Sequence, residues 1–199
     1  MIEKIRIVIS RLFVFALFSI VITSSSATNE KWPLVGGSLF FIGIVLAALA
    51  SMGRLWCSVY IAGYKTDVLV MQGPYSLSRN PLYFFSLIGA IGVGLTTHTI
   101  LIPTLILFAF AAYYPFVIKS EESVLFERHG AAFTNYRRTV PRFFPKLSGL
   151  IEPESYVVRP RVYKRHMGDA LWFIWLIGFL EIIAVLHELG LIPTLIKIY

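Results

Sequence analysis

Two short polar blocks gather the side chains of this 199-residue chain that are best placed to do chemistry together. The first, Gly73–Tyr83 (GPYSLSRNPLY), puts Tyr75, Ser78, Arg79, Asn80 and Tyr83 within nine residues. The second, Glu121–Tyr136 (EESVLFERHGAAFTNY), sets Glu121 beside Glu122 and follows them with His129, Gly130 and Tyr136. Hydroxyl, guanidinium and amide groups at a helix entrance suit an anion, because the first N–H groups of a helix are unpaired and carry partial positive charge. The same residues would equally make a helix cap, a headgroup anchor, an interfacial tyrosine belt and two solvated acids.

Neighbours on a helix point roughly 100° apart, so Glu121 and Glu122 do not face the same ligand atom. Glu122, Leu125, Phe126 and His129 follow one helical stripe, and Glu121, Val124, Leu125 and Arg128 the next. One glutamate is then available to a cationic ligand while the other pairs with a lysine or arginine.

The elements that must position these blocks are apolar. Asn80 to Ile118 contains no charge, and His98 is its only ionisable side chain other than tyrosine. Two membrane passes joined by a tight turn fit that stretch and return both blocks to one side. A spanning helix needs roughly 20 mostly apolar residues. Further windows lie at about 8–26, 34–53 and 170–192, and the hairpin supplies 82–96 and 100–118. The expectation is an all-α integral membrane protein of five spans, a single membrane domain over 1–199, with a cytosolic cofactor segment at 119–169. A mean hydropathy of +0.74 with 57% hydrophobic residues excludes a soluble domain of this length.

Orientation follows from Lys and Arg. Lys4, Arg6 and Arg11 precede the first span; Arg54, Lys65 and Arg79 lie between the second and third; ten more run from Lys119 to Arg165. Only Lys31 and Lys197 fall on the other side. The N-terminus and both polar blocks are therefore expected to be cytoplasmic. The net charge of +7 is mainly a topology signal that also favours anionic lipid headgroups, and it does not point to nucleic acid. Cys57 is the only cysteine, which excludes internal disulfides and cysteine-based zinc sites.

Local signals place the blocks on helix ends. Gly73-Pro74 is a turn. Asn80-Pro81 reads as an N-cap with Pro at the first helical position. The 121–129 helix stops at Gly130, Ala131–Thr139 forms a further short helix ended by Pro141, and Pro145, Pro153 and Pro160 mark an irregular connector. Neither cytosolic segment is long enough to bury a core alone, so a site must be assembled from both against the membrane helices. Gly89, Gly92 and Gly94 read either as a cofactor-approach motif or as close helix packing.

The combined pattern GPY-x-x-x-R-N-P-x-Y, two apolar spans, then EE-x-x-L-x-x-x-x-G-x-x-x-x-x-Y resembles the isoprenylcysteine carboxyl methyltransferases and their bacterial relatives. The phospholipid N-methyltransferases are similar in plan. The resemblance covers about Arg54 to Pro145 and implies an integral membrane enzyme using S-adenosylmethionine, with the cofactor in a cytosol-facing pocket and a lipophilic or lipid-anchored substrate entering from the bilayer. With the reading of the two blocks, it makes Glu122, Arg79 and His129 candidate catalytic residues. Tyr75, Asn80, Tyr83, Glu121, Gly130 and Tyr136 become candidate cofactor-binding residues. The family's usual histidine is Asn80 here, and Val117 and Lys119 stand where the eukaryotic enzymes have an arginine before the paired glutamates.

Methyl transfer is an in-line displacement, so holding donor and nucleophile in line does most of the work. A carboxylate acceptor needs only Arg or Lys to place it. An amine or hydroxyl needs a base, for which Glu122 or His129 is the candidate. Two other readings stay open: an NADPH enzyme resembling the sterol reductases, with a comparable R-H-P-N-Y element, and a non-catalytic lipid-binding protein of the same fold.

Overall fold

The computed structural model describes residues 12, 15–64 and 67–199. Part of the first expected span, and the charges of Lys4, Arg6, Arg11 and Lys65, lie outside the described residues. What is described of that span is helical over residues 15–23 (α1). The chain continues through β1 (Ser24–Ser26), α2 (Ala27–Lys31), α3 (Pro33–Ile61), α4 (Pro74–Leu77), α5 (Pro81–Leu95) and α6 (Leu101–Thr139). A 3-10 turn (Leu147–Gly149), α7 (Pro160–Glu188) and β2 (Ile196–Ile198) complete it.

The protein is an all-α membrane protein. Among the described residues, α3, α6 and α7 are long and apolar enough to cross a bilayer, and α5 is a shorter apolar helix. Leu34, Phe41, Met52, Phe108, Phe116 and Trp175 face outward, as side chains bathed in lipid do. Helices α3, α6 and α7 run longer than their apolar windows, and α5 matches its own. Proline starts four of the helices: Pro33, Pro74, Pro81 and Pro160 each occupy the first turn, where the missing N–H costs nothing. α7 thus begins ten residues before the expected 170 and closes at Gly190, whose φ of 68° ends the helix.

Helix α5 lies between α3 and α6, and α7 packs on α3. The α3–α5 seam is made by glycine. A Cβ on Gly43 would sit 2.6 Å from the Gly92 carbonyl, and a Cβ on Gly92 2.7 Å from the Gly43 carbonyl. Gly89 likewise abuts the Phe173 ring, and Gly94 abuts Pro103. These glycines let helices approach in a medium that offers no hydrophobic drive for association, so their place is packing and not the cofactor. Ala47, Ala50, Val93 and Phe173 form the core they enclose.

One element was not expected: β1 and β2 pair in parallel, Ser24 opposite Ile196 and Ser26 opposite Ile198. The pairing ties the end of α1 to the chain's last residues. The α5–α6 turn joins it, since Ser26 Oγ donates to the His98 carbonyl at 2.7 Å and Leu101 N–H to the Tyr199 carbonyl at 2.9 Å. These contacts define the far end of the bundle, and both polar blocks lie at the other.

Candidate functional site at the polar end of the bundle

The apolar hairpin returns the two blocks to one place, and a third segment joins them. Arg79 N–H donates to the Pro141 carbonyl at 2.9 Å, and Lys146 N–H to the Leu77 carbonyl at 3.0 Å. Ser78 Oγ donates to the Phe143 carbonyl at 2.9 Å, and Ser76 Oγ accepts from Ile151 N–H at 2.9 Å. Residues 73–80 are thus laced to residues 141–151. Two segments too short to hold a core alone bury Ser76, Leu77, Ser78 and Phe133 between them and the helix ends.

At the centre is an ion pair. Arg79 Nε donates to Glu122 Oε1 at 2.9 Å, with 9% and 12% of the two side chains exposed. Arg79 Nη1 donates to the carbonyls of Arg137 and Val140 at 3.0 and 2.9 Å. Arg142 Nε approaches Glu122 Oε2 at 3.4 Å. Both carboxylate oxygens are therefore held by guanidinium groups from two chain segments, which makes Glu122 an organising residue.

Asn80 stands at the N-cap position of α5 but its side chain does not cap the helix. Its amide donates to Glu122 Oε1 at 3.3 Å and to the Arg142 carbonyl at 2.9 Å. Holding the N–H₂ on the Glu122 carboxylate and the Arg142 carbonyl fixes the amide in an orientation in which its oxygen does not cap the helix.

Glu121 is the other kind of acid. It is exposed, and its Oε1 accepts from the Tyr83 hydroxyl at 2.6 Å. No second hydrogen bond to Glu121 is made among the described residues. The two adjacent glutamates do point apart, one into the arginine clasp and one toward Tyr83.

Gly130 has φ 47° and ψ −113°, which breaks α6 into two helices. That conformation is open to glycine and strained for any other residue. The bend turns Phe133 and Tyr136 inward, and the Tyr136 hydroxyl donates to the Tyr75 carbonyl at 2.6 Å. Half-buried Tyr75 has its phenol pushed well above the ordinary tyrosine range, by burial first and then by neighbours that include Cys57, Tyr136 and Glu121. His129 is half-buried seven residues beyond Glu122, about 10 Å of helix rise away. The structure does not bring it to the clasp.

An aromatic wall flanks the site on its membrane side. Tyr83 meets Tyr114 edge-on at 5.2 Å, Tyr114 stacks on Phe110 at 3.7 Å, and Phe143 packs on Phe110 at 5.9 Å and on Phe84 at 5.8 Å. A cavity of about 210 Å³ lined by Ser26, Thr97, His98, Glu181 and His187 belongs to the far end and not to this site.

Sequence reasoning counted Arg142 among the basic residues without assigning it to the site, and it passed over Ser78 as a fastener. Their signal was the position of P-R-F-F-P directly after the second block, where a returning segment had to meet the first.

Residues 32–132 match the phospholipid methyltransferase family, and they span α3, α5 and α6 as far as the turn after Gly130. The chain is 34% identical over 191 residues to the nickel-cobalt-cadmium resistance protein NccN of Alcaligenes xylosoxydans xylosoxydans, covering 96% of this chain and 88% of the relative. It is 33% identical over 193 residues to the cobalt-zinc-cadmium resistance protein CzcN of Cupriavidus metallidurans, covering 97% and 88%. No solved structure matches it.

Proposed function

Since this chain belongs to the phospholipid methyltransferase family of membrane methyltransferases, we propose that it transfers a methyl group from S-adenosylmethionine to a lipophilic acceptor at the cytoplasmic membrane face. The observation that carries this reading is the clasp of Arg79, Glu122 and Arg142, which closes two distant blocks into one surface and leaves the Glu121 carboxylate exposed beside Tyr83. Within the family we place the chain with the isoprenylcysteine carboxyl methyltransferase-like branch, on the GPY, R-N-P-x-Y and paired-glutamate motifs. The cytoplasmic orientation rests on the sequence bias alone, in which 16 Lys and Arg are expected on the side of the two blocks against Lys31 and Lys197 on the other.

The residues present fit the cofactor. An exposed carboxylate with an open oxygen, Glu121, suits its ammonium group, and the α5 entrance at Asn80-Pro81 suits its carboxylate. S-adenosylmethionine, when bound, supplies a methyl on a sulfonium that an acceptor lone pair displaces, the C–S bonding pair returning to sulfur. The chain's contribution is to orient. Arg79 and Glu122 fix the entrance of α5 relative to α6, Tyr83 holds the Glu121 carboxylate in one rotamer, and the Tyr136–Tyr75 bond fixes the segment after the bend. Tyr83, Tyr114, Phe110 and Phe143 shield the site from water and give an acyl or prenyl chain a surface to lie on. An acceptor entering from the bilayer would be oriented by these same side chains, and such proximity and orientation would supply most of the acceleration.

Names that speak of metal resistance enter here only indirectly. Among the described residues no group of three or more His, Cys, Asp or Glu side chains is placed to hold a metal ion.

Calorimetric titration of the detergent-purified protein with S-adenosylhomocysteine, run beside NADPH, tests the reading. Micromolar binding of the former alone is expected. Binding of NADPH alone would move the protein to the reductases, and binding of neither by folded protein would leave a non-catalytic lipid-binding role.

A further inference from the structure

Arg54 ends the uncharged run of α3, seven residues before the helix closes at Ile61, about 10 Å inside that end. A snorkelling arginine sends its head to the aqueous rim. This one turns into the junction of α3, α5 and α7. Its Nη1 donates to the Ser86 hydroxyl, and its guanidinium carbon lies 5.7 Å from the centre of the Phe173 ring. Its Nε is buried with no hydrogen-bond partner among the described residues.

None of the ion pairs among the described residues includes Arg54. One neutral hydroxyl and one ring face are poor compensation for a cation at this depth, where charged side chains face the bundle interior and mark ligand pathways. A guanidinium with a buried, unpaired N–H is satisfied by an acid that takes two of its N–H groups together.

The position of Arg54 says where such an acid would belong. Ser86 follows Tyr83 by three residues in α5, so Arg54 sits roughly 4.5 Å deeper than the Tyr83–Glu121 pair. It is within electrostatic reach of Tyr114, whose ring abuts Tyr83. Packing is tight on the α3–α5 side, since a Cβ on Gly53 would fall 2.2 Å from the Phe85 ring. The guanidinium is thus one helical turn below the methyl-transfer site, on its membrane side.

We propose that Arg54 binds the anionic group, a carboxylate or a phosphate, of the amphiphile that this site methylates. The anion site stands on the geometry of Arg54. Its service to methyl transfer rests on the function proposed above.

The test uses the full chain in a non-ionic maltoside detergent, which brings no anion of its own, and three probes with one tail: oleate, oleyl phosphate and oleyl alcohol. Wild type should bind oleate or oleyl phosphate at least tenfold more tightly than the alcohol, and whichever anion binds more tightly identifies the source. Arg54→Gln should remove the preference while affinity for oleyl alcohol and for S-adenosylhomocysteine stays within twofold. Should Arg54→Gln fail to fold, Arg54→Lys replaces it. This variant keeps the charge and loses the fork, and its anion affinity should fall at least threefold. No preference in wild type, or a preference that survives these substitutions, overturns the proposal. An anion preference that follows Arg54 in a protein blind to S-adenosylhomocysteine would keep the site and remove the methyl-transfer reading. The reverse pattern would remove only the site.

Discussion

Arg79 and Glu122 stand 43 residues apart with both arms of an apolar hairpin between them, and they meet at 2.9 Å in a setting that exposes only 9% and 12% of their side chains. The pair is the hinge pin of the polar end. Arg79 also grips the carbonyls that end α6, and Glu122 also receives Arg142 from the segment beyond. Removing Glu122 leaves the Arg79 guanidinium without its carboxylate, and removing Arg79 leaves Glu122 only the longer contact to Arg142.

That loss should be measurable as stability. Breaking a buried pair by removing one partner costs about 3–5 kcal/mol, so Arg79→Ala and Glu122→Gln should each lower the unfolding midpoint in detergent and abolish methyl transfer. The double variant should be little worse than either single one. Strictly additive losses in a double-mutant cycle would show that the two residues act independently.

Glu121 should behave differently although it is the adjacent residue. It is exposed and bonded only to Tyr83 among the described residues. Glu121→Gln should weaken S-adenosylhomocysteine binding on the order of tenfold, the value of one charge-assisted hydrogen bond, without moving the unfolding midpoint. Tyr83→Phe should give a smaller loss of the same kind. An unchanged calorimetric affinity in Glu121→Gln would return this acid to the solvated surface.

At Gly130 the backbone, not the neighbourhood, sets the cost. An added Cβ would meet nothing within 4 Å, yet the φ of 47° with ψ of −113° is foreign to other residues. Gly130→Ala should cost roughly 1–3 kcal/mol and loosen the Tyr136–Tyr75 bond beyond the bend. Amide hydrogen exchange over residues 131–140 is the readout, and unaltered protection there would show that the bend does not depend on glycine.

A pH effect follows from Tyr75. Its phenol is pushed up by burial, with nearby Cys57, Tyr136 and Glu121 adding to the shift. In the unfolded chain a tyrosine ionises near pH ~10. The folded protein resists that ionisation, so stability is intact below about pH 10 and falls as pH rises above it. Tyr75→Phe should flatten the alkaline limb of a midpoint-versus-pH curve and leave the neutral limb unchanged.

How much of this was legible beforehand depended on the range of the physics involved. Apolar windows, proline at helix starts and the breaker at Gly130 are local properties, and each is visible in a run of a few residues. So was the divergence of Glu121 and Glu122, which needs only the helical repeat. The β1–β2 pairing was not visible, because three-residue strands 172 residues apart leave no periodic trace. Neither was the fate of the Asn80 side chain, which fits a cap by type but is drawn across to Glu122 and the Arg142 carbonyl.

The sequence by itself determined that this chain lives in a membrane and which two polar blocks meet at one end of it, because hydropathy, charge bias and motif order are additive along the chain. Only the tertiary structure decided which glutamate is locked and which is open. It also decided that Arg142 completes the clasp, that the glycines of α5 serve packing, and that Arg54 points into the bundle. Those outcomes depend on which donor reaches which acceptor in a confined space, and sequence spacing does not contain that competition.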